Sequence, residues 1–246
     1  MTNEKQKNLL KLVSEPRLTY YEYYLNCKTP AEKLSAYFAY QELSSYFLPI
    51  IQLIEISMRN AIDMELVKKF GCDWYSIIPQ SETSKQLVAY AKSKLPNQPD
   101  RNDVICRLTL GFWIYMLDAE YRNTQLSCYI WSDDVQKNVF PLAYNILNPK
   151  TRMSVKAIFD DMQKVLELRN RLFHHEPIWK GHNCNSHEKA TFNVIKNYDF
   201  LKRVLKWISQ DSYALVDDNL QEKCLKKSCK IERLQRRILE LMKYLS

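Results

Sequence analysis

The sequence predicts an all-helical protein, and three observations predict it. Apolar residues recur at spacings of three and four, period-two alternation is scarce, and helix-start and helix-stop residues bracket the apolar runs. The first start is Thr29 as N-cap with Pro30 at the first helical position, opening a helix to about Phe47. Pro49 marks a kink or a fresh start. Ile51, Ile54, Met58, Ile62 and Leu66 then form one face of a helix that Gly71 stops. Residues 79 to 103, with Pro79, Pro96 and Pro99, read as loop with one short helix around Lys85 to Lys94. Asp103 to Ala119 reads as one buried helix, carrying Val104, Leu108, Leu110, Phe112, Trp113, Met116 and Leu117. Pro141 and Pro149 bracket a further short helix, and Thr151 or Ser154 caps the next. No repeat or low-complexity linker divides residues 1–216, which read as a single helical domain.

Residues 217–246 differ in character and read as a basic C-terminal helix. Positions 223 to 237 hold seven Lys or Arg against one Glu. Cys224, Ile231, Leu234, Ile238, Leu241 and Leu245 fit a heptad seam that Lys227 breaks once. A terminal helix packed on the body, a helix pairing two chains and a helix lying along RNA all fit this pattern, the first best.

Composition narrows the chemistry. The 246 residues include only 3 glycines, so neither GxGxxG nor a P-loop occurs, and most dinucleotide and NTP enzymes are excluded. A net charge of +8 favours phosphate-bearing partners. The 7 cysteines are irregularly spaced without a CxxC pair, which points to a reducing cytoplasm. The charged first sixteen residues lack a signal-peptide core, and no apolar run approaches the roughly 18 residues that span a bilayer. A cytoplasmic protein without membrane association is expected.

The chemistry concentrates on one helix, read as Val155 to Glu176. At about 100° per residue, Ile158, Phe159, Met162, Val165, Leu166, Leu172 and Phe173 share an apolar face. Arg169 falls near the middle of that face, while Asn170 and His174, four apart, sit together at its edge. An unpaired arginine there costs several kcal/mol, so it must meet a carboxylate, water, a helix terminus or an anionic ligand. Glu55 or Glu65 supplies the purely structural answer. Histidines in a last helical turn likewise have one, as cations against the helix dipole. Taken together, the residues suit metal-independent RNA cleavage. That reaction needs a base for the 2′-OH, an acid for the leaving 5′-oxygen and a cation for the phosphorane. One helix offers a single arginine and one or two histidines, and two copies across a dimer axis complete the set.

The stretch Arg169-Asn170-x-x-x-His174 resembles the R-N-x-x-x-H motif of HEPN ribonucleases. The longer string Leu168-Arg169-Asn170-Arg171-Leu172-Phe173-His174-His175-Glu176-Pro177-Ile178 is similar to the Abi-like (abortive infection, AbiD/AbiF-type) branch. Two further blocks agree in order: Leu53 to Ala61 followed by Gly71 and Trp74-Tyr75, and Leu108 to Trp113 with Trp131 downstream. The resemblance covers roughly residues 14 to 210 and implies a HEPN-like helical bundle with additional helices. It implies a homodimer with a composite site, metal-independent endoribonuclease activity on host or phage RNA without a cofactor, and a toxin-like role in prokaryotic antiviral defence. An antitoxin or small-RNA regulator is a further expectation. Carried over, Arg169 is the phosphate-stabilising cation, His174 the general acid or base and Asn170 the orienting residue, with His175 and Glu176 as helpers. A non-catalytic RNA-binding or partner-binding module is the alternative.

Other constellations are weaker. Arg59-Asn60 either lines the same cleft and holds RNA, or forms a structural pair through Glu55, four residues earlier. His182, Cys184 and His187 match no zinc spacing and lack a fourth ligand, so no metal is expected. Cys184 has no oxyanion-hole companion for nucleophilic chemistry. The Tyr20-Tyr21-Tyr23-Tyr24 cluster stacks bases or, more commonly for such a cluster, packs inward.

Overall fold

The computed structural model describes residues 3–78, 81–96, 99–143, 153–181 and 183–245. These residues form helices and connecting turns, with no strand among them. In chain order the helices are α1 (Asn3–Val13), α2 (Glu15–Leu25), α3 (Pro30–Ser45), α4 (Leu48–Phe70), α5 (Trp74–Ile77), α6 (Glu82–Ser93), α7 (Arg101–Arg107) and α8 (Leu110–Tyr115). They continue with α9 (Ala119–Arg122), α10 (Asp133–Val139), α11 (Val155–Phe173), α12 (His187–Ile208), α13 (Gln210–Val216), α14 (Leu220–Ser228) and α15 (Ile231–Leu245).

Local chemistry explains several boundaries. Thr29 caps α3 in a full capping box, its hydroxyl accepting from the Glu32 amide while the Glu32 carboxylate accepts from the Thr29 amide. Pro49 falls in the first turn of α4, where its missing N–H costs nothing. Gly71 ends that helix with φ +83°, the left-handed position that glycine takes without strain. Ser154 caps α11, its Oγ accepting from the Ala157 amide at 3.2 Å.

The expected single helix from Asp103 to Ala119 is two helices. Leu108 and Thr109 are extended, with ψ of 123° and 164°, and Thr109 becomes the N-cap position of α8. The break leaves the Leu108 carbonyl free to accept from the buried Trp113 indole N–H at 3.2 Å, which satisfies both groups. The short helix expected between Pro141 and Pro149 lies largely outside the described residues. The sequence pattern announces none of α1, α2, α5, α9, α10, α12 and α13.

The chain divides into two compact units. Unit 1 comprises Met1–Ile51, Leu168–Lys202 and Leu215–Ser246; unit 2 comprises Gln52–Glu167 and Arg203–Ala214. In unit 1, α3 packs against α1, α2 and α15. Its buried aromatic centre sets Trp179 against Tyr21 and Tyr40, with ring centroids 5.4 and 5.3 Å apart. Tyr21 is therefore core, whereas Tyr23 stays exposed. Segment 217–246, set apart by its charge, belongs to this unit as two helices. Within α15, Leu234 and Leu245 are buried and Ile231, Ile238 and Leu241 half-buried, so the seam is spent on the packing against α3. Cys224 lies on the separate α14.

A polar network ties α14 to the end of α12 within the same unit. The Lys202 ammonium meets Glu222 at 2.7 Å and Asp217 at 2.5 Å, and Lys226 meets Glu222 at 2.6 Å. Burial opposes the charge on Glu222, but the Lys202 and Lys226 ammonium groups and the Asp218 amide outweigh it and hold its pKa below the usual carboxylate value.

Unit 2 buries Trp74, Phe112, Trp113, Trp131 and Phe140. Its buried carboxylate, Asp63, accepts from the Trp74 indole N–H at 2.9 Å and pairs with Arg101. Buried Glu65 pairs with Lys68 at 2.6 Å. No helix among the described residues is long and apolar enough to cross a membrane.

Candidate functional site

The candidate site is the C-terminal end of α11 and the turn that follows, all within unit 1. The helix stops at Phe173, three residues before the expected end at Glu176. His174 occupies the C-cap position. His175 adopts the left-handed conformation at φ +57°. The Glu176 amide donates to the Arg171 carbonyl at 2.8 Å and the His175 amide to the Leu172 carbonyl at 3.2 Å. Those paired bonds define a Schellman motif, with histidine where glycine is usual and Pro177 just beyond.

Two side chains from other helices close the turn. Arg17 on α2 donates through Nη1 to the His174 carbonyl at 2.5 Å, and Gln41 on α3 donates to the His175 carbonyl at 3.4 Å. The following loop is equally fixed. Asn197 donates to the Ile178 carbonyl at 2.8 Å and Asn193 to the Trp179 carbonyl at 3.0 Å, while Arg171 Nη1 donates to the Lys180 carbonyl at 3.0 Å. The histidines therefore sit on a turn set by α2, α3 and α12.

Backbone bonding at this helix end is met without the imidazoles. Both His174 and His175 are exposed, and neither ring hydrogen-bonds among the described residues. Capping of free carbonyls, the structural explanation for these histidines, is thus taken over by backbone amides, Arg17 and Gln41. Glu176 is exposed beside them and also without an ion pair among the described residues.

Arg169, near the middle of the apolar face, is half-buried. Its guanidinium lies over the Phe173 ring, with the central carbon 4.5 Å from the centroid, and Nη1 reaches Asn170 Oδ1 at 3.4 Å. Its buried Nε has no acceptor, and no carboxylate pairs with Arg169 among the described residues. Of the two carboxylates that could have made it structural, Glu65 is taken by Lys68 at 2.6 Å. Asn170 links the ends of the motif: its side chain accepts from Arg169, and its carbonyl accepts from the His174 amide at 2.9 Å. Phe173 is half exposed, so the apolar face of α11 continues into solvent here instead of ending in the core.

No protein-family model, curated protein or solved structure matches this chain. The residues themselves therefore carry the functional reading.

The remaining candidates fall elsewhere. Glu55, Arg59 and Asn60 belong to unit 2, on α4, where Arg59 Nε donates to Asn60 Oδ1 at 3.2 Å. The expected pair of Arg59 with Glu55 does not appear among the described residues. His187 is committed to the fold of unit 1, with Nδ1 3.1 Å from the Tyr40 hydroxyl and the rings stacked. Burial lowers its pKa. His182 lies outside the described residues, Cys184 is buried, and no group of three His, Cys, Asp or Glu side chains among the described residues converges as a metal site. Sequence reading missed Arg17, Gln41 and the role of Phe173. Only Phe173, four residues after Arg169, leaves a sequence signal.

Proposed function

We propose that this chain is a metal-independent endoribonuclease of HEPN type, akin to the Abi-like family, and acts as a homodimer in antiviral defence. The observation that carries the reading is Arg169. A half-buried guanidinium with an unmet buried N–H and no carboxylate favours an incoming anion, and a phosphate supplies both charge and acceptor. Histidine on the same helix end, with an uncommitted ring, suits proton transfer near neutral pH.

In the proposed reaction one imidazole takes the 2′-OH proton and the 2′-oxygen attacks phosphorus. The P–O5′ bond breaks, and the 5′-oxygen is protonated by a second imidazole. The products are a 2′,3′-cyclic phosphate and a 5′-hydroxyl, and no water or metal enters the balance. Arg169 stabilises the charge that grows on the phosphorane oxygens. Asn170 orients the guanidinium. His174 from each of two chains gives the acid and the base, with His175 and Glu176 in support. RNA of host or phage is the substrate, and an antitoxin or small RNA is a fitting regulator.

The test is incubation of purified protein with tRNA and mRNA in EDTA, with the ends mapped. Cyclic-phosphate ends are expected, with cleavage lowered at least about 100-fold in both His174→Ala and Arg169→Ala while the dimer persists. Cleavage that survives both substitutions, or that needs Mg²⁺, overturns the proposal. RNA bound but never cut favours the non-catalytic binding module.

A further inference from the structure

Outside the α11 site, unit 1 holds a cleft between α3 and α15 with a volume of about 230 Å³. Ala39, Leu43 and Leu234 contribute its apolar lining, with Glu42 from α3 and Tyr46 from the C-cap of that helix. Arg233, Arg236, Arg237 and Glu240 line it from α15, with Ser228 from the end of α14. The spacing explains the arrangement: residues 233, 236, 237 and 240 recur at three and four along α15, beside the seam that packs on α3.

The charges in the cleft are unevenly matched. Arg237 takes Glu42 in a two-pronged contact, Nε lying 2.9 and 3.0 Å from the two carboxylate oxygens, and also meets Glu240 at 3.5 Å. Both carboxylates of the cleft are thereby spent on one arginine. Arg233 and Arg236 are exposed and have no carboxylate partner among the described residues. Lys227 and Lys230, on either side of Ser228 and Cys229, are likewise exposed and unpaired among those residues. The anchored Arg237 thus fixes α15 and holds two uncompensated guanidinium forks at the cleft. The planar fork matches two oxygens of one phosphate.

We propose that this cleft is a second binding site, which seats the phosphodiester backbone of RNA through Arg233 and Arg236. It is separate from the residues at the end of α11, and it rests on the ribonuclease reading only for the identity of the polyanion as RNA. Bound this way, RNA is held independently of its cleavage, without base-specific contacts.

The experiment measures binding of an uncleavable 2′-O-methyl oligoribonucleotide to the full chain by fluorescence anisotropy, from about 50 to 200 mM salt. Arg233→Ala/Arg236→Ala removes two phosphate contacts, so the slope of log affinity against log salt shallows by about 1.4, or 0.7 per contact on a single strand. Affinity falls about tenfold near physiological salt. Arg233→Lys/Arg236→Lys keeps the charge and retains most of the slope. Because the ligand cannot be cut, loss of cleavage in Arg169→Ala leaves this result intact, and the two proposals fail separately. Unchanged affinity and slope in the double alanine variant, or no binding by the wild type, overturns the inference. Poly-glutamate is measured in parallel: if the variant loses poly-glutamate and keeps RNA, the cleft serves an acidic protein and the proposal falls.

Discussion

His175 gives the sharpest test of what holds the turn, because its backbone conformation has a measurable cost. At φ +57° an L-residue pays roughly 1–2 kcal/mol relative to its preferred regions, and histidine stands toward the lower end. Glycine pays nothing there. Its more flexible unfolded chain returns roughly 0.5–1 kcal/mol of that advantage. His175→Gly is therefore expected to stabilise the protein by about 0.5 kcal/mol, which for a chain of this size raises Tm by about 1–2 °C. His175→Ala keeps the Cβ and changes little. His175→Val places a branched side chain at positive φ and destabilises by about 1 kcal/mol or more. Urea midpoints for the four proteins should rank glycine first, histidine and alanine together, and valine last. A glycine variant less stable than wild type would refute the reasoning, since it would mean that the imidazole holds the turn. The same variant reads function. If His175 only supports His174, His175→Gly keeps cleavage within about tenfold of wild type, whereas loss as deep as that of His174→Ala assigns a proton transfer to His175.

Two further outcomes follow from the packing around the site and the polar network. Phe173→Leu removes a ring contact worth about 0.5–1 kcal/mol to the Arg169 guanidinium, so RNA cleavage should fall about two- to fivefold and recover in Phe173→Tyr; equal rates in all three proteins would exclude a positioning role. Acid should destabilise the protein in two windows: His187, whose pKa burial depresses, contributes stability that is full above about pH 6.5 and lost as pH falls through its folded value, and Glu222 does the same below about pH 4.5. Urea midpoints against pH check both, with His187→Gln erasing the upper step and Glu222→Gln costing about 3 kcal/mol at neutral pH but little once the carboxyl is protonated.

What the sequence makes legible is local. Thr29-Pro30 and Gly71 act on their own neighbours through one hydrogen bond or one dihedral and stand where the spacing predicts, and of the two caps expected before α11 it is Ser154 that accepts a helix amide. The break at Leu108 was hidden because the apolar pattern runs through it, and only the Trp113 indole contact in the folded core explains it. The candidate site divides in the same way. Arg169, Asn170 and His174 lie within six residues at the end of α11, so their grouping follows from the helical period. Arg17 and Gln41 are 157 and 134 residues from the carbonyls they hold, and no periodicity links such positions. The end of α11 lay between. Pro177 marks a stop nearby, but nothing in the sequence places the positive φ at His175, where glycine is the usual residue.

Uncompensated charge, more than a single unmet N–H, sets this helix end apart. Arg101 shows the difference. Its Nε is also buried without an acceptor, yet its charge is matched by Asp63, which the Trp74 indole braces. That arginine completes a structural cluster. Arg169 has the same orphan donor and no carboxylate, only an aromatic face and a neutral amide among the described residues. A phenyl face and an amide together compensate a guanidinium far less than a carboxylate does, so the site carries a standing preference for an anion. Selection for stability alone would favour a glutamate within reach, or leucine at position 169 on the apolar face. Retaining the charge beside two exposed imidazoles, on a turn whose carbonyls are bound by other groups, fits a helix end built to meet a phosphate.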